Sequence, residues 1–201
     1  IMCGILRPDS GECVINGYVP WKSRAEYVRG IGVVFGQRSQ LWWDVPVADS
    51  FRLLKDIYKI DAARYMRSLD RLTGLLGIEE ALRTPARQLS LGQRMRCEFA
   101  ASLLHEPDIL FLDEPTIGLD AVSKLAVRQF IKDINAERKL TVILTTHDMR
   151  DIEALTNRII LIGRGRILSD GTLDAIVNRY GEEKGQIEEA VAAMYREMEI
   201  E

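Results

Sequence analysis

The sequence has few features of a metal-binding, membrane-spanning or secreted protein. It contains only three cysteines, Cys3, Cys13 and Cys97, an odd number without Cys-x-x-Cys spacing. This usage suits a reducing compartment and argues against a zinc site. No apolar run approaches the roughly 18 residues that cross a bilayer, and no signal peptide is recognisable. We therefore expect no direct membrane insertion, and any role at a membrane must come through a partner.

The sequence also lacks a strong charge of either sign. It has 27 Lys and Arg against 30 Asp and Glu, for a formal net charge of −3. Nucleic-acid-binding proteins carry a strongly basic surface, so no nucleic-acid partner is expected. Hydrophobic residues make up 47% of the 201 residues, which is ordinary for a globular protein that buries a normal core.

Three short apolar runs alternate with helical patterns along the chain. Residues 31–35, 109–112 and 140–144 are typical of buried strands. The alternation predicts an α/β fold with a mainly parallel sheet and flanking helices. Apolar segments on either side of Gly163-Arg164-Gly165 predict a small antiparallel part. We expect one domain over 1–201, with a helical subdomain over 47–88 and a C-terminal helical extension over 172–201.

Several local features also give expectations. Residues 1–6 resemble the end of a helix, and residues 121–137 should form another. The inner side of that second helix is expected to carry four apolar residues, Val122, Leu125, Phe130 and Ile134. The adjacent Trp42 and Trp43 lie in a loop, where one ring packs in the core while the other stays exposed. One of them anchors an interface, or both are buried or exposed side chains without such a role.

The stretch 89–120 carries most of the chemistry. Ser90 precedes a run of good helix formers, which is an N-cap signal. Pro107 ends that run, because the residue before a proline avoids the helical region. The free amides at the start of the helix, next to the small Gly92, predict an anion site.

Two carboxylates, Asp113 and Glu114, follow the apolar run 109–112. Charged groups beside an apolar core are costly unless they are paired or bound to a metal. Asp113 can hold a hard cation such as Mg²⁺, and Glu114 can take a proton from water. The alternative is that Ser90 is only a helix cap and the two carboxylates are the solvated end of a strand.

Taken together and in this order, the motifs of 89–120 resemble those of the ABC-transporter ATPase family. Leu89-Ser90-Leu91-Gly92-Gln93 is similar to the signature motif, 109–114 to Walker B, and 115–120 to the D-loop. Leu91 departs from the usual Gly. Gly36-Gln37, after the strand 31–35, resembles the Q-loop, and His147, after the strand 140–144, resembles the switch histidine. The family has a P-loop NTPase-like fold.

The resemblance implies ATP and Mg²⁺ as cofactors and a role for each matching residue. Asp113 would hold Mg²⁺ and Glu114 would activate the attacking water. Gln37 would reach both the Mg²⁺ and the water, and His147 would contact the γ-phosphate. The signature residues Ser90, Gly92 and Gln93 would contact the nucleotide of a partner subunit in a head-to-tail dimer. Asp120 would couple the two sites.

The implied function is that of an ATP-binding subunit that hydrolyses ATP to drive export through a separate transmembrane permease subunit. It would act as a homodimer or with a paralogous ATPase subunit, in the cytoplasm on the inner face of the cell membrane. The segment 36–43 and the signature variant most resemble the ATPase subunits of prokaryotic exporters of the drug- and sodium-extruding kind. A soluble ABC ATPase outside transport and a non-hydrolysing regulatory module are the alternatives; Glu114 and His147 argue against the second.

The family's phosphate-binding loop, Gly-x-x-x-x-Gly-Lys-Ser/Thr, does not occur in the 201 residues. In the family this loop and the first strands would lie upstream of Ile1. We therefore expect that the sequence is part of a longer protein, and that the 201 residues alone bind ATP weakly and are inactive.

Overall fold

The computed structural model describes residues 1–36 and 38–180, which form seven α-helices and five β-strands. The helices are α1 (Arg24–Tyr27), α2 (Val47–Ile57), α3 (Ala62–Leu76), α4 (Leu91–Leu103), α5 (Ala121–Arg138), α6 (Met149–Leu155) and α7 (Leu173–Tyr180). The strands are β1 (Ile31–Phe35), β2 (Ile109–Asp113), β3 (Thr141–Thr145), β4 (Ile159–Gly163) and β5 (Arg166–Gly171). Residues 1–145 form one compact unit, and residues from Thr146 onward form a second.

The first unit is built on a parallel sheet with the strand order β1-β2-β3. Parallel neighbours need a long crossover connection, which α2, α3 and α4 supply between β1 and β2, and α5 between β2 and β3. The register pairs Phe35 with Asp113 and Asp113 with Thr145, so the three strands end in one row. The mainly parallel α/β fold expected from the sequence is therefore confirmed.

The apolar core lies around the middle strand. Leu110 is fully buried and Leu112 is 1% exposed in β2. Phe99 of α4 packs edge-on against Phe130 of α5, with ring centroids 5.4 Å apart. Because burial of apolar surface is the main driving force of folding, this core fixes where the strands end and where the polar residues after them lie.

Helices α2 and α3 carry their apolar residues on one side. Phe51 in α2 and Leu72 in α3 are almost completely buried. The side chain of Asp61 caps α3 by accepting a hydrogen bond of 2.9 Å from the backbone N–H of Arg64. Arg96 of α4 donates to the backbone oxygen of Leu76 at 3.0 Å and so ties the end of α3 to α4. These helices fall in the range 47–88, whose status as a subdomain stays a prediction.

The expectation for the inner side of α5 is wrong at two positions. Phe130 and Ile134 are buried as expected, but Val122 is 77% exposed and Leu125 is 63% exposed. The buried face begins later, at Val127. Helical spacing identifies an apolar stripe, but which part of it is covered depends on the length of the neighbouring elements.

The first residues do not form the end of a helix. Residues 1–6 make turns, one of which is closed by a 2.9 Å hydrogen bond from Gly4 N to Ile1 O. A tight turn at Asn16 and Gly17 brings Ile15 opposite Tyr18 in an antiparallel bridge. Cys3 and Ile15 pack on the cluster of Tyr27 with Ile31 and Phe111.

The second unit contains the expected antiparallel part. β4 and β5 pair around Arg164 and Gly165, and Arg158 holds Asp170 on the facing strand through a bidentate ion pair of 2.7–2.8 Å. α7 follows this hairpin. Most of the extension predicted over 172–201 lies outside the described residues. None of the helices in the described part of the chain is long and apolar enough to cross a membrane.

One buried histidine makes the stability of the first unit depend on pH. The ring of His105 is 7% exposed, stacks on Tyr58 at 3.9 Å and donates from Nε2 to the backbone oxygen of Ile31 at 2.9 Å. Its Nδ1 is buried and has no hydrogen-bond partner among the described residues. Burial, assisted by the charges of Arg64 and Arg138, lowers the pKa of His105 from 6.5 to about 4.

We predict that stability is lost on acidification through this group. Between about pH 6.5 and 4 the unfolded chain binds the proton that folded His105 rejects, so the free energy of unfolding falls as the pH falls. The shift corresponds to roughly 3 kcal/mol. Urea unfolding at pH 7 and pH 4.5 should show a smaller loss for His105→Gln than for the wild type; an equal loss in both would contradict the assignment.

Candidate functional site

Asp113 lies at the carboxyl edge of the parallel sheet, where ligands bind in open α/β folds. It is exposed as the last residue of β2, and its Oδ1 accepts a hydrogen bond of 2.6 Å from Thr145 Oγ1 at the end of β3. Because the two residues are aligned in the ladder, the sheet itself holds the carboxylate in one orientation. Thr145 was not among the predicted site residues.

Glu114 follows directly, in a backbone conformation that favours glycine. Its φ is +49°, and its backbone N–H donates to the oxygen of Thr145 at 2.9 Å. Its own carbonyl accepts from Ile117 at 3.2 Å and closes a turn. Residues held in this region cost of order 1–3 kcal/mol and cluster at functional sites. The half-buried Glu114 is thus positioned by its backbone at the sheet edge.

Gly36 fits the end of β1 against this turn. Its N–H donates to the backbone oxygen of Asp113 at 2.7 Å. A Cβ at position 36 would overlap the carbonyl oxygen of Glu114 and lie 2.9 Å from Ile117 Cγ2, so no larger residue fits without moving the turn. Gly36 was not predicted as a site residue, although its place between a buried strand and Gln37 was a signal. Gln37 itself lies outside the described residues.

The donors at this edge fit a magnesium ion. Mg²⁺ in nucleotide sites is held by one or two carboxylates, substrate phosphates and water, without a cage of protein ligands. Among residues 1–36 and 38–180, no group of three or more His, Cys, Asp or Glu side chains forms a cage. Asp113 offers an exposed carboxylate whose orientation is already fixed by Thr145. An ion held there would supply positive charge to neutralise bound phosphates.

Ser90 and Gln93 form a capping box at the start of α4. Ser90 Oγ accepts from the backbone N–H of Gln93 at 3.2 Å, and Gln93 Oε1 accepts from the N–H of Ser90 at 3.0 Å. The capping interpretation of Ser90 is therefore confirmed. It does not exclude anion binding, because a hydroxyl that accepts one bond still has a proton to donate, and both residues are exposed.

Gly92 brings this helix start next to Asp120. A Cβ on Gly92 would lie 2.5 Å from Ser123 Oγ, and that hydroxyl donates to Asp120 Oδ2 at 2.7 Å. Asp120 also caps α5 by accepting from the N–H groups of Val122 and Ser123 at 3.0 Å. The hydrogen bonds from Ser123, with a smaller contribution from Val122, hold the pKa of Asp120 below its ordinary value. Four predicted residues, Ser90, Gly92, Gln93 and Asp120, are thus gathered in one place.

His147 belongs to the second compact unit, where it is exposed on the loop before α6. The loop is ordered by Thr146, whose Oγ1 accepts from the N–H of Asp148 at 3.0 Å and donates to Asp151 at 3.4 Å. Asp148 caps α6. His147 lies two residues after the end of β3. Its role stays a prediction.

Both tryptophans of the loop after β1 are exposed. Trp42 is 58% and Trp43 49% exposed, so the expectation that one of them packs in the core is wrong. The Arg94 guanidinium lies 5.3 Å from the centre of the Trp43 ring, which is cation–π distance. The backbone oxygen of Trp43 accepts from Arg87 N at 3.0 Å.

Comparison with known proteins identifies the family. The ABC transporter family matches residues 1–117. The ABC transporter ATP-binding protein NatA of Bacillus subtilis is 27% identical over 176 residues, which cover 88% of this chain and 71% of NatA. The probable multidrug ABC transporter ATP-binding protein YbhF of Escherichia coli is 33% identical over 176 residues, or 87% of this chain and 30% of YbhF.

A solved structure agrees. CbiO1 from Clostridium perfringens, part of the ABC transporter complex cbiONQ, superposes with a TM-score of 0.78 and 25% identity, covering 98% of this chain and 80% of cbiO1. The family match covers more than half of this chain, and the matched residues include Asp113 and the start of α4. This chain belongs to the ABC transporter family.

Proposed function

We propose that this chain is the ATP-hydrolysing part of an ABC transporter and that the Asp113–Glu114 pair is its reaction centre. The observation that carries the proposal is the way neighbouring strands hold this pair: Thr145 fixes the Asp113 carboxylate, and Gly36 lets β1 pack on the turn of Glu114. A solvated strand end would need neither contact. The same pair argues against a purely regulatory module.

In the proposed mechanism Asp113 would hold Mg²⁺, which would neutralise charge on the ATP phosphates. Glu114 orients the attacking water and accepts its proton. By the family resemblance, Gln37 and His147 would act on the metal or the γ-phosphate. Phosphoryl transfer depends mostly on positioning and charge stabilisation, so these residues act by holding groups in place. The 201 residues contain no Gly-x-x-x-x-Gly-Lys-Ser/Thr, and we expect them to bind ATP weakly by themselves.

The exposed start of α4 is proposed to serve a second subunit. Ser90, Gly92 and Gln93 present helix N-terminal amides and a hydroxyl, which suit an anion, and Asp120 is joined to them through Ser123. In a head-to-tail dimer these groups would contact the nucleotide held by the partner's carboxylate pair. The dimer would be formed by two copies of this protein or by one copy and a paralogous subunit.

The transport role rests on the family and on an exposed surface. The proposed partner is a transmembrane permease subunit at the inner face of the cell membrane, and the exposed rings of Trp42 and Trp43 suit an interface anchor. Export is the proposed direction, because the segment 36–43 and the signature variant resemble those of drug- and sodium-extruding exporters. Co-purification of the full-length protein with a membrane protein would separate this role from that of a soluble ATPase.

Glu114→Gln should reduce ATP turnover of the full-length protein by about 10²-fold or more, because the amide cannot accept the proton. The variant should still bind ATP and should accumulate as a nucleotide-bound dimer, seen by size-exclusion chromatography. Glu79→Gln, an exposed carboxylate without an assigned role, is the matched control. Turnover near that of the wild type in Glu114→Gln would remove Glu114 from this role.

Gly36→Ala should also reduce turnover, by about 10-fold or more, because a misplacement of about 1 Å at a reacting group can cost 10²-fold. The added methyl overlaps the carbonyl oxygen of Glu114, so it displaces the catalytic turn. Gly74→Ala is the matched control, since a Cβ there has no atom within 4 Å. Equal turnover in the two variants would show that the turn tolerates the methyl.

Mixed dimers test whether Ser90 acts across the interface. With Glu114→Gln in one chain and Ser90→Ala in the other, a head-to-tail dimer keeps one intact site, because both changes fall in the same site. With both changes in one chain beside a wild-type chain, neither site is intact. We predict faster turnover for the first dimer, measured on differently tagged, co-purified chains. Faster turnover for the second would show that each chain forms a complete site by itself.

A further inference from the structure

Glu98 is a buried carboxylate in the middle of α4. It is 4% exposed, and its neighbours in the helix, Cys97 and Phe99, are fully buried. Burying a carboxylate costs several kcal/mol unless hydrogen bonds compensate. A helix that needed only packing at this position would be better served by an apolar residue, so the carboxylate has a use other than filling the core.

The hydrogen bonds that fix Glu98 to the loop after β1 come from the segment 39–41. Ser39 Oγ donates to Glu98 Oε1, and the backbone N–H of Gln40 donates to Oε2 at 3.2 Å. The Gln40 side-chain amide donates to the backbone oxygen of Glu98 at 3.2 Å. Burial raises the pKa of Glu98, and the hydrogen bonds from Ser39, Gln40 and the backbone of Leu41 counter that rise. Both carboxylate oxygens are thus used to hold one segment.

The contact joins two elements that carry different parts of the proposed site, the loop after β1 and helix α4. Ser39 follows Gln37 by two residues. Glu98 lies seven residues after Leu91, the first residue of α4, about 10 Å along the helix axis. A helix is rigid over this distance, so a shift of the loop is carried to the capped end at Ser90 and Gln93. The loop also borders a cavity of about 320 Å³ lined by Gly36, Arg38 and Glu98 among others, which gives it room to shift.

We infer that Glu98 is a positioning residue that ties the loop 38–41 to α4, so that movement of this loop reaches the Ser90–Gln93 end of the helix. This inference rests on the proposed function, in which the loop after β1 and the start of α4 each serve a nucleotide. Glu98 touches neither nucleotide nor metal in this account. Glu98 acts by fixing the placement of the loop after β1 relative to the start of α4.

The test uses Glu98→Gln, Ser39→Ala and the double variant in the full-length protein with its membrane subunit. Each single change should lower kcat by about 5-fold and leave KM for ATP within about 2-fold, because neither residue binds the nucleotide. The double variant should be no worse than the more severe single variant, since both changes break one contact. Additive losses, or a loss confined to KM, would overturn the inference. Glu79→Gln again serves as the control.

Hydrogen exchange separates positioning from simple destabilisation. In Glu98→Gln the amides of 39–41 should exchange faster, while those of the buried part of α4 keep their protection. Unchanged exchange at 39–41, or loss of protection along all of α4, would contradict the inference. If the wild type showed no Mg²⁺-dependent ATP hydrolysis, the proposed function would fail, and the exchange measurement would still decide whether Glu98 holds the loop.

Discussion

Parallel hydrogen bonding between β1, β2 and β3 decides where every polar group at the carboxyl edge lies. Because Phe35, Asp113 and Thr145 are aligned by the ladder, the hydroxyl of Thr145 meets the carboxylate of Asp113 without any adjustment of the backbone. The turn after β2 then places Glu114 in a strained conformation, bonded back to β3. A change of register by one residue would turn these side chains toward the opposite face of the sheet and remove the site.

Close backbone approach is the second requirement, and small residues meet it. The end of β1 reaches the turn of Glu114 only because position 36 has no side chain, and α4 reaches α5 only because position 92 has none. The start of α4 is oriented by its own capping box, through Ser90 and Gln93. A site whose groups are already oriented spends little binding energy on ordering them, which favours the reaction step.

The sequence predicted those features that depend on neighbouring residues. Apolar runs predicted the strands, and the end of one such run predicted the position of Asp113. Ser90 predicted the start of α4. Features set by tertiary packing were not predicted: the bond from Thr145, the contact of Gly36 with the turn, and the burial of Glu98 against a loop 58 residues away. Spacing also failed for Val122, since it cannot tell which turns of a helix a neighbour covers. The roles of Gln37 and His147 stay predictions from the family resemblance.

The central claim is that Asp113 and Glu114 of one chain share a nucleotide with Ser90 of another. A structure of the full-length Glu114→Gln protein with ATP and Mg²⁺ tests it most directly. The account predicts two nucleotides at the interface of a dimer, each with its metal beside Asp113 of one chain and its phosphates at the α4 N-terminus of the other. A nucleotide that contacts Asp113 and Ser90 of the same chain, or one bound away from the carboxyl edge of the sheet, would contradict it.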